Sequence, residues 1–204
     1  MELQRQENNA QFDFSLASQK ILKFAQVSEK PKRFEHSLRV AKMAEELCLR
    51  YGENPQKGYL AGIAHDMCKE FSDELLLSLA SHDGKPISDL EKSIPSLLHG
   101  RAAAVKLERD FGIDDKDILQ AVACHTLGGK NLCSLAKILY IADRIEPSRP
   151  QSSEEYRSKL MEKNLDEAVL AILSEHEAYL ASKGTKIAEQ TLLFKKSLCQ
   201  KKEK

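Results

Sequence analysis

The chain has 204 residues, and its 31 Lys plus Arg balance 31 Asp plus Glu, so the formal net charge is zero. That balance argues against a nucleic acid polymer or an anionic membrane as the main partner, because both favour an excess of cationic side chains. With 42% hydrophobic and 30% charged residues the composition is globular, and apolar runs such as Ile138 to Ala142 are far too short to span a bilayer.

The stretch 1–14 reads as a polar arm and not as a signal peptide, since no apolar run follows a basic start. The cysteines Cys48, Cys68, Cys124, Cys133 and Cys199 are odd in number and form no CxxC pair, so they read as reduced thiols. Cys68 and Cys124 adjoin histidines but read as small buried hydrophobes. Trp is absent and aromatics are 6%, which offers no stacking platform for single-stranded nucleic acid. These features predict a cytoplasmic protein with one folded domain over 15–200, and they leave a homodimer open.

Apolar residues recur at helical spacing almost throughout and no run alternates as a strand does, so the expected fold is all-α. The first helix is expected from about Ser15 to Ser28, and Pro31 separates it from a second near Phe34 to Tyr51. There Phe34, Leu38, Ala41, Ala44 and Cys48 form a stripe that Val40, Met43 and Leu47 widen, with His36 on its edge. Gly52 closes that helix, and Pro55 opens a third that runs to about Glu70 with His65-Asp66 in its last turns. Ser72 caps a short Leu-rich helix that stops near Ser81 to Gly84, and 82–95 reads as loop. After Pro95 a helix runs to Gly112, and Asp114 caps another with Ile118, Val122 and His125 on one stripe. Leu132 to Ile145 is apolar nearly all round, the pattern of a helix at the centre of a bundle. Amphipathic helix is expected from Ser153 to about Ser182 and again from Thr185 to Leu198.

Asp143 lies inside that most apolar helix, where a carboxylate is costly to desolvate unless a cation neutralises it. A salt bridge with Arg144 or Lys137 would answer, and so would a metal ion. Four histidines, His36, His65, His99 and His125, fall on buried-face positions of different helices, and any one of them alone is an ordinary core residue. Taken with Asp66 and Asp143 they form an imidazole and carboxylate set suited to iron, manganese or zinc. Six ligands exceed what one hydrolytic metal with open positions can use, which points to two metals sharing a carboxylate. His82 and His176 lack such company and read as structural or solvated.

The order His36, His65-Asp66, His99, His125, Asp143 resembles the H…HD…H…H…D pattern of the HD-domain metal-dependent phosphohydrolases. The flanking stretches RFEHSLRVA (33–41), AGIAHDMCK (61–69), LLHG (97–100), HTLGG (125–129) and LAKILYIADRIEPSR (135–149) look like the YqeK-like branch, the symmetrical bis(5'-nucleosyl)-tetraphosphatases. Cys133 stands where that branch more often has Met, and Phe194-Lys195 where it more often has Tyr-Asn. The resemblance implies a helical domain with a metal-binding core over about 33–149, followed by C-terminal helices over 153–198. It also implies a dinuclear centre, commonly iron, that splits diadenosine tetraphosphate into two ADP. His36, His65, Asp66 and Asp143 would hold one metal, and His99 and His125 with bridging Asp66 the other.

Two metals activate a water, so no Ser or Cys nucleophile is needed. Lys69, three residues past Asp66, is expected to bind phosphate oxygen or steady the leaving group. Arg33 and Arg149 are expected at the polyphosphate, and Thr126 near the second metal. The same ligands would also serve another nucleotide, such as a deoxynucleotide or guanosine polyphosphate, a di-iron oxygenase acting on a polyol, or a nucleotide sensor without turnover.

Overall fold

Capping side chains set most of the helix starts. Residues 13–200 are described in a computed structural model, so the KKEK tail and all but Asp13 and Phe14 of the expected arm lie outside the described residues. Those two already belong to the first helix: α1 (Phe14–Ser28) opens on Asp13, whose carboxylate accepts from the Leu16 amide at 2.9 Å. α2 (Pro31–Tyr51) begins on Pro31 itself, where the missing N–H would have had no helical partner anyway. There follow α3 (Pro55–Ala64), α4 (Asp73–Ala80), α5 (Asp89–Ser93), α6 (His99–Phe111), α7 (Lys116–Cys124), α8 (Ser134–Ile145), α9 (Glu154–Met161), α10 (Leu165–Ser182) and α11 (Glu189–Cys199). The described residues contain no strand, as an all-α chain requires.

Several boundaries differ from the sequence expectation, four of them instructively. α3 stops at Ala64, so His65-Asp66 lies in the turns beyond it and not in its last turns. The cause is local: His65 Nδ1 donates to the Gly62 carbonyl at 2.6 Å, the acceptor that one more helical residue would have used. The stretch 82–95 is not all loop, because Ser88 and Glu91 form a reciprocal capping box that starts α5. Asp115, not Asp114, caps α7, accepting from the amides of Asp117 and Ile118 at 3.0 and 3.1 Å. The long helix expected over 153–182 is two, since Asn164 caps a fresh start by accepting from the Glu167 amide at 3.0 Å.

α3 lies along α2 at backbone distance, and glycine permits it. A Cβ on Gly62 would sit 2.3 Å from the Ala41 Cα, and one on Gly58 would sit 2.7 Å from the Ala44 carbonyl oxygen. Gly100 does the same for α6 on α7, where a Cβ would meet the Val122 carbonyl oxygen at 2.7 Å. α8 is buried nearly all round, as its apolar run requires, and its one lysine, Lys137, pairs with Asp166 of α10. Phe194 of α11 meets Tyr140 edge to face, with ring centroids 5.2 Å apart. Cys48 and Cys68 are buried hydrophobes whose thiols burial pushes up to about 12, and no cysteine is in a disulfide. No helix among the described residues is long and apolar enough to cross a membrane.

Gly62→Ala should therefore lower the stability of the metal-free protein by roughly 1–3 kcal/mol, the range for overpacking a close contact. A denaturant midpoint equal to that of the wild type would show that α2 and α3 can part freely.

Candidate metal centre

Five elements deliver the polar cluster. His36 comes from the buried face of α2, His65 and Asp66 from the turn after α3, His99 from the first residue of α6, His125 from the C-cap of α7, and Asp143 from α8. The glycine contacts bring them together, for Gly62 and Gly100 are the close-approach points beside His65 and His99. The rings of His36 and His65 lie 5.4 Å apart between centroids, those of His65 and His125 4.9 Å, and those of His99 and His125 4.8 Å.

Each imidazole is turned by a hydrogen bond on its far side. Nδ1 of His65, His99 and His125 donates to the carbonyl three residues back, Gly62, Ser96 and Val122, at 2.6, 2.7 and 2.8 Å. Carbonyls near a helix end lack intrahelical partners, which is why Gly62 and Val122 accept. His36 instead has its Nδ1 3.1 Å from Glu146 Oε1. All four rings thus aim Nε2 inward, the arrangement by which outer partners fix metal-binding histidines.

Asp66, 4% exposed, stands between the histidines. Its Oδ1 lies 3.0 Å from His99 Nε2 and 3.6 Å from His125 Nε2, while Oδ2 lies 3.7 Å from His65 Nε2. Two triads therefore share this carboxylate, His36, His65, Asp66 and Asp66, His99, His125, with the ligand atoms of each within 4.8 Å of one another. Asp143 joins the first, its Oδ1 3.1 Å from His36 Nε2 and 3.9 Å from His65 Nε2.

A divalent metal fits this set on two observations. His65 Nε2 is buried with no hydrogen-bond partner, an uncompensated acceptor that a cation would satisfy. His99 Nε2 and His125 Nε2 lie only 2.9 Å apart, although both rings already donate through Nδ1. The donors are imidazole nitrogen and carboxylate oxygen alone, which suits a first-row transition metal.

Burial holds His65 neutral, its pKa lowered to about 4, and burial likewise lowers His99. His36 differs: burial works against its charged form, yet the hydrogen bond and charge of Asp143 and the bond with Glu146 raise its pKa overall. Burial would also raise Asp66 and Asp143, but the histidines around them, with Arg144 beside Asp143, outweigh it and keep both carboxyls well below the usual range.

Of the two cations expected beside Asp143, Arg144 pairs with it and Lys137 does not. Lys137 is committed to Asp166, and Arg144 Nη1 is 3.8 Å from Asp143 Oδ2. The close partner is Arg149, whose Nη2 donates to Asp143 Oδ1 at 2.6 Å. Arg33 Nη1 donates to Asp66 Oδ2 at 2.8 Å, and Lys69 Nζ lies 3.1 and 3.3 Å from the two His99 ring nitrogens. Lys69 reaches the site through a turn in which its amide bonds the Asp66 carbonyl, not along a helix face. Thr126 Oγ1 lies 3.2 Å from His125 Nε2. Arg33, Lys69, Thr126, Arg144 and Arg149 line, with Asp66, His99, His125 and Asp143, one open cavity of ≈ 300 Å³.

Sequence reasoning missed Glu146, which orients His36 and also accepts from Arg39 Nε at 2.7 Å. Its signal was its place in the stretch 135–149, at the C-cap of α8 just past the more conspicuous Asp143. His176 was expected to be structural or solvated. It is half-buried and lines a second cavity beside the cluster, and its Nδ1 is itself buried with no hydrogen-bond partner.

The HD domain family matches residues 33–148, more than half of the chain, and the chain belongs to that family. The chain is also 30% identical to the symmetrical bis(5'-nucleosyl)-tetraphosphatase of Bacillus subtilis (strain 168), over 79% of its own length and 86% of the relative's. A protein of the same description from Halalkalibacterium halodurans is 32% identical over 78% of this chain and 85% of its own. A crystal structure of a predicted HD superfamily hydrolase involved in NAD metabolism from Clostridium acetobutylicum superposes with a TM-score of 0.83, at 31% identity, covering 90% of this chain and 97% of that one.

Asp66→Ala should abolish metal loading while leaving helical content largely intact, because the apolar core is built independently of the cluster. Full metal content in that variant would refute the assignment. Acid should act through His36: its protonated form is stabilised, so protons compete with metal at a pH above that of an ordinary imidazole, and metal content should begin to fall there as pH drops. Loading that stays constant down to pH ~5 would contradict this, since every unperturbed imidazole is charged by then.

Proposed function

We propose that this protein hydrolyses dinucleoside polyphosphates and cleaves diadenosine tetraphosphate symmetrically into two ADP. The observation that carries this reading is the cavity in which Arg33, Lys69, Arg144 and Arg149 surround the histidine and carboxylate cluster. A ring of four cations suits a polyanionic phosphate chain and has no use for a neutral polyol. The tetraphosphatases named above point the same way.

In this reading the centre takes two divalent ions, iron by preference with manganese as a substitute. His36, His65, Asp66 and Asp143 hold one, and Asp66, His99 and His125 the other. When bound, such a pair supplies a water of lowered pKa and clamps the phosphoryl oxygens for in-line displacement. The chain's own residues do the rest. Asp66 offers one oxygen to each histidine pair, so it fixes the spacing of the two positions. Burial lowers the Lys69 pKa, the nearby Asp66 charge opposes that shift, and the ammonium is held at the cavity wall to neutralise charge developing on the phosphoryl or leaving oxygen. Arg33 and Arg149 each pair with a site carboxylate and also face the cavity, where they can hold the flanking phosphates. Thr126 offers a hydroxyl on the His125 side.

Lys69→Ala should lower kcat about a hundredfold, the loss expected for one transition-state donor, with metal content unchanged. Chromatography of early time points should give ADP as the sole nucleotide product. Equal ATP and AMP would overturn the symmetrical assignment, and oxygen-dependent turnover of a polyol would replace the hydrolase.

A further inference from the structure

The HD match ends at residue 148, yet a cavity of ≈ 580 Å³ opens against the metal cavity under the helices that follow. Arg144 and Arg149 line both cavities. On the far side of these guanidinium groups the walls are Tyr156 of α9 and Ile172, His176 and Tyr179 of α10. The volume lies in the range of small-molecule sites, which are mostly apolar with a few directed polar groups.

Three features point to one occupant. The end shared with the metal cavity carries Arg144 and Arg149, while the remaining walls carry the rings of Tyr156 and Tyr179 and the aliphatic Ile172 beside Glu175, so charge and stacking surface adjoin as in a nucleotide. His176 lines the chamber beside Tyr179, so an imidazole stands at the wall where a base edge would lie. Tyr156 is already fixed, its hydroxyl donating to Glu175 Oε2 at 2.7 Å, which ties α9 to α10 and sets the chamber's width.

The neighbouring cavities lack this combination. The one beyond Thr126 has no aromatic wall. The one lined by Lys30, Lys32, Arg33 and Arg39 is charged but has no aromatic wall.

We propose that α9 and α10 form the nucleoside chamber of the enzyme, taking the purine nucleoside end of a substrate whose phosphates pass between Arg144 and Arg149 to the metal centre. This rests on the phosphate-anhydride reading of that centre. Tyr179 and His176 are then specificity-determining residues that read the base and leave the chemistry alone.

The test compares binding of ADP and of pyrophosphate to the metal-loaded full chain by titration calorimetry, in the wild type, Tyr179→Ala and His176→Leu. Tyr179 is 60% exposed, so its truncation should leave the fold intact. Each variant should bind ADP about tenfold more weakly, the scale of one lost stacking contact, and bind pyrophosphate as the wild type does. With diadenosine tetraphosphate the same variants should raise KM and keep kcat. Unchanged ADP binding would overturn the chamber, as would an equal loss for pyrophosphate, which would make it a phosphate site. A wild type that binds ADP no better than pyrophosphate would overturn it too. If the wild type failed to cleave diadenosine tetraphosphate, the functional reading would fall, while the ADP and pyrophosphate comparison would still decide the chamber.

Discussion

The Asp66 carboxylate is buried to 4% exposure among groups that are themselves buried, and an isolated carboxylate there would cost several kcal/mol of lost hydration. What keeps it ionised is a shell drawn from the whole bundle: the Arg33 guanidinium on one oxygen, His99 and His125 near the other, and His65 behind. None of these partners is local in sequence except His65. The convergence of α2, α6 and α7 around the end of α3 thus supplies what keeps this one charge ionised, and a cation that satisfies the orphaned His65 Nε2 completes the same balance.

Helix ends do much of the positioning. His65 and His125 lie just past the last residues of α3 and α7, where carbonyls have lost their helical donors. An imidazole N–H fills that gap, so the defect that ends the helix also sets the ring's tautomer and direction. His36, in the middle of a helix, has no such carbonyl, and Glu146 stands in for it. Glycines at the crossings let these ends come within ligand distance of one another, because any Cβ at Gly62 or Gly100 would push the backbones apart.

The helices after the HD match are joined to the site by more than coverage. Lys137 of α8 pairs with Asp166 of α10, and Thr191 of α11 donates to the Leu127 carbonyl at 2.8 Å, just past His125 and Thr126. Phe194 closes over Gly128, where even a methyl group would strike its ring at 2.4 Å. The C-terminal segment thus holds the turn that carries His125 while its other face walls the second cavity. A change in α10 or α11 can reach the metal centre through these contacts without touching a ligand.

By itself the sequence determined the helical class, most helix positions, and the identity of the six polar residues that meet at the centre, because periodicity, capping and residue order are local or nearly local signals. α8 is the clearest example: an apolar run with one aspartate announces both burial and a need for a partner. It did not determine where α3 ends, because that depends on a ring nitrogen competing for a backbone carbonyl, nor the break before α10, where an Asn cap overrides a continuous amphipathic pattern. Tertiary structure alone decided that Arg149, and not Arg144 or Lys137, is the close partner of Asp143, and that Glu146 orients His36. It alone decided, too, that His176 faces a cavity beside the site. The reason is common to all three: long-range pairing is chosen by how packed backbones happen to bring charged ends together, and no spacing along the chain records that choice.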